Sequence, residues 1–526
     1  MIELKHRRAR QYGTVELKNE PVPQHCDVGF AVTLNDIAWL LHKRYSSRMF
    51  VGFSDGRTLF TCSAGAYKVS ECSPPVKPTS SRSCSTIVNE LPGFPGLLPF
   101  RLETGYVMVD KRTGTELFYY FVESESDPGK DPLLLWLTGG PGCSSFYGLY
   151  EEIGPMRFNR IRYNGTLPTL NYHPYTWTKI FNIIFLDWPA GTGFSFSEHF
   201  EYQMLDDYQS INQIHTFLKQ WFVDHPNFLL NPFYVGGDSY GGKMAALVSH
   251  KIAQGIEAFD PPLINFKGYL IGNPRTGIDE FDINPRVAHA YELGIISHEF
   301  KELIDRHCVG EDYMLPRTAL CTAHLKIFQK FLDEIVIDNI LIPKCIQDNS
   351  TLEQNEGILR SLYEEDDEEP PISKSDLNCP DYTSYLASRW FDYYPIREAL
   401  GVKKGSVKIW LACNLQLKKI YIENIHSSLD HHHSLLTRGY RALVYSGDHD
   451  LRFPTKGTLN WIDYLNFSVI EPWRSWKLNG QVGGYTILYS NNLTFATVMG
   501  GGHEAPRDKP RECWTILKRW ISYESL

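Results

Sequence analysis

Three residues with the chemistry of nucleophilic catalysis lie in glycine-rich stretches of the chain. Ser239 is the middle residue of GDSYG at 237–241, Asp450 ends SGDHD at 446–450, and His503 follows three consecutive glycines. A serine hydroxyl attacks a carbonyl carbon when a histidine takes its proton, and an acid orients that histidine and stabilises its charged form. The residue types and their order predict acyl chemistry through a covalent acyl-enzyme.

The acid has two candidates in the SGDHD stretch. Asp450 is favoured because the acid of such a loop follows the strand-ending glycine by a few residues and precedes an apolar residue and a proline, here Phe453 and Pro454. Asp448 is the alternative.

The tetrahedral intermediate of acyl transfer needs fixed donors for its oxyanion, and backbone N–H groups supply them. The N–H of Tyr240, directly after the serine, is the first predicted donor. The second is the N–H of Gly140 in TGGPG at 138–142. A simple tight turn is the alternative interpretation of these glycines.

The elements around Ser239 are predicted from the pattern on either side. An apolar run at 233–236 reads as a strand, and the pattern at 243–251 is helical. A G-x-S-x-G sequence between a strand and a helix is a nucleophile elbow, in which glycines permit the sharp turn that exposes the serine. Taken alone, the motif also fits a strand-to-helix turn without catalytic function.

Other short apolar runs also end in glycine-rich loops, at 133–137, 183–186, 268–271, 442–446 and 494–499. A hairpin is predicted over 100–123, and helices over 205–222 and 511–521. Strands that alternate with helices and open at one end favour a mainly parallel central sheet flanked by helices, the α/β-hydrolase fold. The strand pattern lapses at about 273–438, which predicts a helical cap inserted into the sheet domain.

Composition excludes some classes of partner and function. The formal charge of −9 gives no basic field for nucleic acid, and no apolar run is long enough to cross a membrane. Eleven cysteines and four N-glycosylation sequons favour the secretory pathway. No zinc-type cysteine pairs occur, and adjacent histidines at 431–433 are interpreted as a solvated loop or helix start rather than a metal site. The sequons are at Asn164, Asn349, Asn466 and Asn492.

The first 85 residues show no periodic pattern and are left unassigned, whereas 86–526 read as the hydrolase domain. Basic residues near the N-terminus are not followed by the apolar stretch of a signal peptide. A small extra module, a pro-region and a replaced signal sequence all fit this segment.

Five stretches together resemble the serine carboxypeptidase family. They are WLTGGPGCSS at 136–145, GTGFS at 191–195, GGDSYGG at 236–242, SGDHD at 446–450 and GGGHEAP at 500–506. The resemblance covers about 87–526. It implies the triad Ser239, Asp450 and His503, an oxyanion hole at Gly140 and Tyr240, and no cofactor. It also implies a vacuolar or extracellular protein with disulfides Cys143–Cys413, Cys308–Cys321 and Cys345–Cys379, which leaves Cys513 as a free thiol on the last helix.

The sequence departs from the peptidases of this family where they hold a peptide's terminal carboxylate. Those enzymes use an asparagine and two glutamates, and the matching positions here are Thr138, Asp238 and Glu152, beside Gly139. A threonine hydroxyl reaches less far than an asparagine amide, and aspartate is one methylene shorter than glutamate. Thr138 and Asp238 are similar to the plant serine carboxypeptidase-like acyltransferases.

This resemblance implies transfer of an acyl group from a 1-O-β-acylglucose to an alcohol or amine acceptor. Carboxypeptidase activity on peptide C-termini is the first alternative. A catalytically silent relative that binds a ligand is the second. The acidic run at 363–371 lies where some members are cut into two disulfide-linked chains, and an uncut surface loop is the other interpretation.

Overall fold

The computed structural model describes residues 49–54, 57–62, 85–200, 205–345, 377, 379 and 381–526. The chain divides into two compact units, Met1–Ser80 and Ser81–Leu526. In the first unit, β1 (Met49–Ser54) and β2 (Arg57–Cys62) form an antiparallel hairpin that the sequence pattern did not predict.

The second unit contains the remaining strands and the helices. The strands are β3 (Ser85–Glu90), β4 (Leu97–Asp110), β5 (Thr115–Val122), β6 (Leu133–Leu137), β7 (Met156–Phe158), β8 (Leu170–Tyr172), β9 (Asn182–Leu186), β10 (Phe196–Ser197), β11 (Phe233–Asp238), β12 (Phe266–Gly272), β13 (Arg441–Gly447), β14 (Val469–Leu478), β15 (Gln481–Tyr489) and β16 (Leu493–Val498). The α-helices are α1 (Asp207–Asp224), α2 (Ser239–Glu257), α3 (Asp279–Asp282), α4 (Pro285–Glu292), α5 (His298–His307), α6 (Ala319–Leu332), α7 (Asp381–Asp392), α8 (Tyr394–Ala399), α9 (Leu415–Ile420), α10 (Leu429–Thr437), α11 (Thr455–Tyr464), α12 (Ala505–Asp508) and α13 (Pro510–Ile521). Short helical turns lie at Gly148–Glu152, Trp177–Lys179 and Pro226–Phe228.

One large sheet organises this unit, with the strand order β14-β15-β16-β13-β12-β11-β6-β9-β5-β4-β3. The six strands from β16 to β9 in this order are mutually parallel, and the strands at both ends pair antiparallel. The predicted α/β-hydrolase fold, with a mainly parallel central sheet between helices, is confirmed. The carboxyl ends of the parallel strands meet at one edge, where β11, β13 and β16 deliver the three predicted catalytic loops.

Burial on both faces explains the continuous apolar runs. Every side chain of β6 is buried, but alternate residues belong to different cores. Leu133, Leu135 and Leu137 pack in one cluster, and Leu134 and Trp136 pack in the other. Successive strand residues point to opposite faces, so a central strand covered on both sides needs apolar residues throughout.

The hairpin β14–β15 shows where the pattern fails. Five of the ten residues of β14 are exposed, and its pairing with β15 has three register shifts. The shifts interrupt the alternation of apolar and polar residues, which is the sequence signal of a half-buried strand. No strand was predicted there for that reason.

The insertion between β12 and β13 is helical in the described residues, from α3 to α10. Helices α4, α5 and α6 share a small core of their own that includes Cys308 and Cys321. The later helices pack instead on the two cores of the sheet, as Trp390 and Leu417 do. The acidic run at 363–371 and the sequon at Asn349 lie outside the described residues.

The histidine run at 431–433 lies in α10, and the expectation of a solvated segment is wrong for its middle member. His432 is 1% exposed, stacks on Trp461, and bonds Tyr269 Oη at 2.8 Å through Nδ1. Burial lowers the pKa of His432 to about 3. It is a neutral core residue.

None of the helices in the described ranges combines the length and apolar character needed to cross a bilayer.

Candidate active site

The turn from β11 into α2 places Ser239 in a left-handed conformation, with φ of +55°. The glycines on either side are required by close packing. A Cβ at Gly237 would lie 2.5 Å from the carbonyl oxygen of Leu137, and one at Gly241 would lie 1.9 Å from it. The elbow therefore presses against the end of β6, which is the start of the loop that carries Gly140.

The loops after β13 and β16 bring Asp450 and His503 together. His503 Nδ1 lies 2.8 Å from Asp450 Oδ2, and both side chains are buried. Asp450 also accepts hydrogen bonds from Asn273 Nδ2 at 2.8 Å and from the backbone N–H of Arg452 at 2.6 Å. These donors fix the carboxylate, and the contact at Nδ1 leaves Nε2 as the histidine nitrogen available to a serine.

Asp448, the alternative acid, is turned elsewhere. Its Oδ1 accepts from the N–H of Gly500 at 2.7 Å and contacts His449 Nδ1 at 2.6 Å. Of the two candidate carboxylates, the structure pairs Asp450 with His503.

The electrostatics of His503 suit a general base. Burial lowers its pKa, but the charge of Asp450 and the hydrogen bond to it raise the pKa more, so that the net value lies above the ordinary range. An imidazolium formed during reaction is thus stabilised where it forms.

The loop Thr138–Ser145 lies beside the elbow. A Cβ at Gly139 would lie 2.7 Å from Ser239 Cβ, and Gly140 has φ of +118°, a backbone conformation that favours glycine. The N–H of Tyr240 belongs to the first turn of α2, where N–H groups have no partner within the helix. The structure thus places the loop that carries Gly140 against Ser239, and Tyr240 directly after the serine in the first turn of α2.

Thr138, Glu152 and Asp238 form a second wall of the site, called the acidic wall below. Trp136 Nε1 donates to Glu152 Oε2 at 2.9 Å. Thr138 Oγ1, Glu152 Oε1 and Asp238 Oδ1 are buried without an amide or hydroxyl partner among the described residues. A proton shared between the two carboxyl groups satisfies the pair.

Two effects set the protonation of this pair. Burial and then the charge of Asp238 raise the pKa of Glu152 well above its usual range. Burial also raises the pKa of Asp238, while the charge of His503 lowers it. The hydrogen bond between the two groups raises the pKa of Glu152 and lowers that of Asp238, which favours Glu152 as its donor.

A cavity of about 750 Å³ lies between the predicted catalytic residues, the acidic wall and the insertion. This volume lies within the range of small-molecule binding sites. The lining residues include Ser239, His503, Thr138, Gly139, Gly140 and Asp238. Glu152, the third residue of the acidic wall, and Asp450 are not among them. The other lining residues include Tyr147, Asp338, Lys344, Lys418, Arg452, Glu504 and Arg507.

The sequence profile of the serine carboxypeptidase family matches residues 92–523. The chain belongs to the serine carboxypeptidase family. Two Arabidopsis thaliana relatives extend the match over nearly the whole domain. Serine carboxypeptidase-like 19 is 41% identical over 84% of this chain and 95% of its own length. Serine carboxypeptidase-like 16 is 40% identical over 85% of this chain and 96% of its own length.

A solved structure of the same family architecture supports the fold. The prohormone-processing carboxypeptidase Kex1(delta)p of Saccharomyces cerevisiae superposes with a TM-score of 0.59 at 20% identity. The alignment covers 81% of this chain and 92% of that chain. At this identity the likeness concerns the fold alone.

The disulfides that the family resemblance implied are formed in the structure: Cys143–Cys413, Cys308–Cys321 and Cys345–Cys379. Cys513 is free and buried in α13. Among the described sequons, Asn164, Asn466 and Asn492 are exposed.

Several residues of this serine carboxypeptidase-like site were not found from sequence. Asn273 orients Asp450 from the end of β12, and its position after a strand was an available signal. Glu504 accepts from Tyr147 Oη at 2.7 Å and pairs with Arg507 inside the cavity. Asp207 and Lys243 are fully buried 3.3 Å apart under Tyr240. No spacing pattern connects Tyr147 with Glu504, 357 residues away, or Asp207 with Lys243, 36 residues away.

Proposed function

We propose that the protein transfers an acyl group from a 1-O-β-acylglucose to an alcohol or amine acceptor. Ser239 is the nucleophile, His503 the general base and acid, and Asp450 the residue that orients the histidine. The N–H groups of Gly140 and Tyr240 hold the oxyanion. Membership of the serine carboxypeptidase family and the Asp450–His503 pair support the serine chemistry.

The first half-reaction forms the acyl-enzyme. His503 Nε2 takes the proton of Ser239 as Oγ bonds to the ester carbon. The bond from that carbon to the glucose oxygen then breaks, and His503 returns the proton to the departing sugar. In the second half-reaction the acceptor hydroxyl or amine gives its proton to His503 and bonds to the acyl carbon. The bond from that carbon to Ser239 Oγ then breaks, and His503 returns the proton to Oγ.

The observation that carries the choice of substrate is the acidic wall. Its polar atoms are two carboxyl groups with one shared proton and the hydroxyl of Thr138. Carboxyl and hydroxyl groups pair well with sugar hydroxyls, which both donate and accept. A peptide's terminal carboxylate would find no amide side chain in the acidic wall to donate to it.

One observation favours the carboxypeptidase alternative. Glu152 occupies the position of a family glutamate that contacts a terminal carboxylate, and burial and the charge of Asp238 raise its pKa, which favours its protonated form. A protonated acid can donate to a carboxylate, so weak release of C-terminal residues is compatible with the site.

The test is incubation of purified protein with a panel of acylglucoses, with and without alcohol and amine acceptors, and separately with a blocked dipeptide. Acylated acceptor together with free glucose is the expected result. Release of the dipeptide's terminal residue without turnover of any acylglucose would refute the proposal. Failure of a fluorophosphonate to label Ser239 in folded protein would instead favour a catalytically silent binding protein.

We also infer passage through the secretory pathway, because three disulfides and exposed sequons at Asn164, Asn466 and Asn492 suit an oxidising, glycosylating compartment. Digestion of native protein with an N-glycosidase should lower its apparent mass. Excision within the acidic run would give two bands on reducing SDS gels and one on non-reducing gels, because Cys143–Cys413 and Cys345–Cys379 both join the two chains. A single full-length band in both gels would refute the excision.

A further inference from the structure

Asp187 is a fully buried carboxylate that the proposed chemistry does not use. It follows β9 directly and lies at the same sheet edge as the catalytic loops. Its Oδ1 accepts from Ser144 Oγ at 2.6 Å and from the N–H of Ser145 at 2.9 Å. Both donors belong to the loop that carries Gly140.

The same carboxylate holds a second loop. Its Oδ2 accepts from the N–H of Phe194 at 3.0 Å, and its own backbone carbonyl accepts from Ser195 Oγ at 2.7 Å. A Cβ at Gly193 would lie 2.0 Å from Asp187 Oδ2, so the loop can approach this closely only with glycine there. No cationic side chain pairs with Asp187 among the described residues. Neutral donors alone hold it.

The contacts of Ser144 and Ser145 carry this restraint to the start of the oxyanion loop. The N–H of Thr138 donates to Ser145 Oγ at 3.2 Å, which closes the loop on itself. On the opposite side, the N–H of Ser144 donates to the carbonyl of Ala412 at 2.8 Å, next to the Cys143–Cys413 disulfide. The loop that carries Gly140 is therefore fixed by two sets of hydrogen bonds. Asp187 accepts one set, from Ser144 and Ser145, and the carbonyl of Ala412 accepts the other.

We propose that Asp187 is a positioning residue that holds the Gly140 N–H in place to receive the oxyanion. The proposal rests on the proposed roles of Ser239 and Gly140, and it adds that their geometry depends on a carboxylate outside the cavity. An oxyanion donor helps only if it is fixed before the reaction, since reorientation during the reaction costs free energy. Loss of Asp187 should therefore slow acylation more than it weakens ground-state binding.

The test uses p-nitrophenyl acetate, whose hydrolysis needs the nucleophile and the oxyanion hole but no sugar recognition. It therefore stays informative even if acylglucoses are not the substrates. Asp187→Asn keeps the size of the side chain but places an amide donor against at least one of three N–H or O–H donors. We expect kcat to fall roughly 10²-fold, the cost of one displaced oxyanion donor, with KM within about threefold.

Ser144→Ala is a milder variant that removes one contact to Asp187 and the acceptor of the Phe146 N–H at 3.2 Å, but nothing in the cavity. Ser249→Ala is its matched control, because Ser249 Oγ is buried on α2 without a partner among the described residues. We expect kcat to fall about fivefold to tenfold in Ser144→Ala, the equivalent of one hydrogen bond, and to stay within about twofold in Ser249→Ala. The inhibition constant of phenylboronic acid, which forms a tetrahedral adduct with the serine, should rise in parallel with the loss of kcat.

Two results would overturn the proposal. One is unchanged kcat in folded Ser144→Ala, which also decides the matter if Asp187→Asn does not fold. The other is an equal loss in Ser144→Ala and Ser249→Ala, since that would reflect general loosening of the core. Inactive wild-type protein that fails to react with phenylboronic acid would instead contradict the proposed serine chemistry itself.

Discussion

The proposed catalytic residues and the acidic wall both border the cavity, through Ser239 and His503 and through Thr138 and Asp238, but they differ in how their polar atoms are satisfied. Asp450 is held by a side-chain amide, backbone N–H groups and His503. In the acidic wall, the hydroxyl of Thr138 has no described partner and two carboxyl groups depend on one proton. The first arrangement is complete, whereas the second leaves a buried hydroxyl without a partner among the described residues. We therefore assign the reaction type to the first group of residues and the choice of substrate to the acidic wall.

The largest expected effect is on the catalytic side. Ser239→Ala removes the nucleophile, and acyl transfer should fall by at least about 10⁴-fold. Binding of the acylglucose should stay within about threefold, because the acidic wall is unchanged. Equilibrium binding by calorimetry, beside product formation, measures both. Loss of binding together with activity would contradict the separation of the two walls.

The next comparison uses the two neighbouring aspartates. Asp450→Asn should lower kcat by about 10⁴-fold, because an amide favours the wrong histidine tautomer. Asp448→Asn should cost less than about tenfold, since it weakens contacts worth about 1 kcal/mol each and leaves His503 paired. Steady-state kinetics on one ester, with thermal unfolding to confirm folding, gives the ratio. Equal losses of kcat in the two variants would mean that activity depends on the conformation of the loop and not on the pairing of Asp450 with His503.

The acidic wall should show an asymmetric response to amide substitution. Asp238→Asn removes the negative charge from the group that accepts the shared proton and replaces one acceptor oxygen with an amide donor. The value of kcat/KM for the acylglucose should fall roughly tenfold to 100-fold, the range for a hydrogen bond to a charged group. Glu152→Gln keeps a donor in place of a protonated acid and should stay within about threefold, a loss below about 0.7 kcal/mol. If Glu152→Gln is the more damaging variant, the assignment of the proton is wrong.

Thr138→Asn tests the substrate choice by restoring an amide donor. Turnover of a blocked dipeptide should rise about tenfold relative to that of the acylglucose, the usual effect of one added polar contact. Thr138→Val removes the hydroxyl without adding an amide, so it should lower acylglucose turnover and leave the dipeptide unaffected. The ratio of the two kcat/KM values decides. An unchanged ratio in Thr138→Asn would refute the role of this position.

The smallest expected effect is a shift in pH dependence. His503 must be neutral to accept a proton, so kcat/KM should fall as pH drops through its pKa, which Asp450 holds above the ordinary value of about 6.5. In Asp450→Asn, burial acts without the compensating charge, and the residual activity should be retained to lower pH. A pH profile with p-nitrophenyl acetate measures the midpoint. A wild-type midpoint below 6 would contradict the account.

The sequence predicted the parts of this molecule whose signals are local. Ser239, Asp450 and His503 stand in short loops after buried strands, and a central strand such as β6 is apolar throughout because two cores cover it. The exposed strand β14 lacks a regular alternation, so its pairing was not foreseen. The residues that hold the site's loops in place, Asn273 and Asp187, were also not predicted.

Those supports are contacts between residues far apart in sequence. Asn273 lies 177 residues from Asp450, and Asp187 lies 43 residues from Ser144. Asn273 and Asp187 are polar residues that directly follow strands β12 and β9, and this position is visible in the sequence. The loop that each residue holds in place is determined by the sheet topology. Residue type predicted the chemistry here, and three-dimensional packing determined its geometry.

The most direct test of the central claim is the mass of the acyl-enzyme. Protein mixed with an acylglucose and quenched in acid should gain the acyl mass on the peptide that contains Ser239. Addition of an alcohol acceptor before the quench should discharge this species to the acylated acceptor faster than water does. No acyl mass from any acylglucose, together with release of C-terminal residues from a blocked dipeptide, would contradict the account.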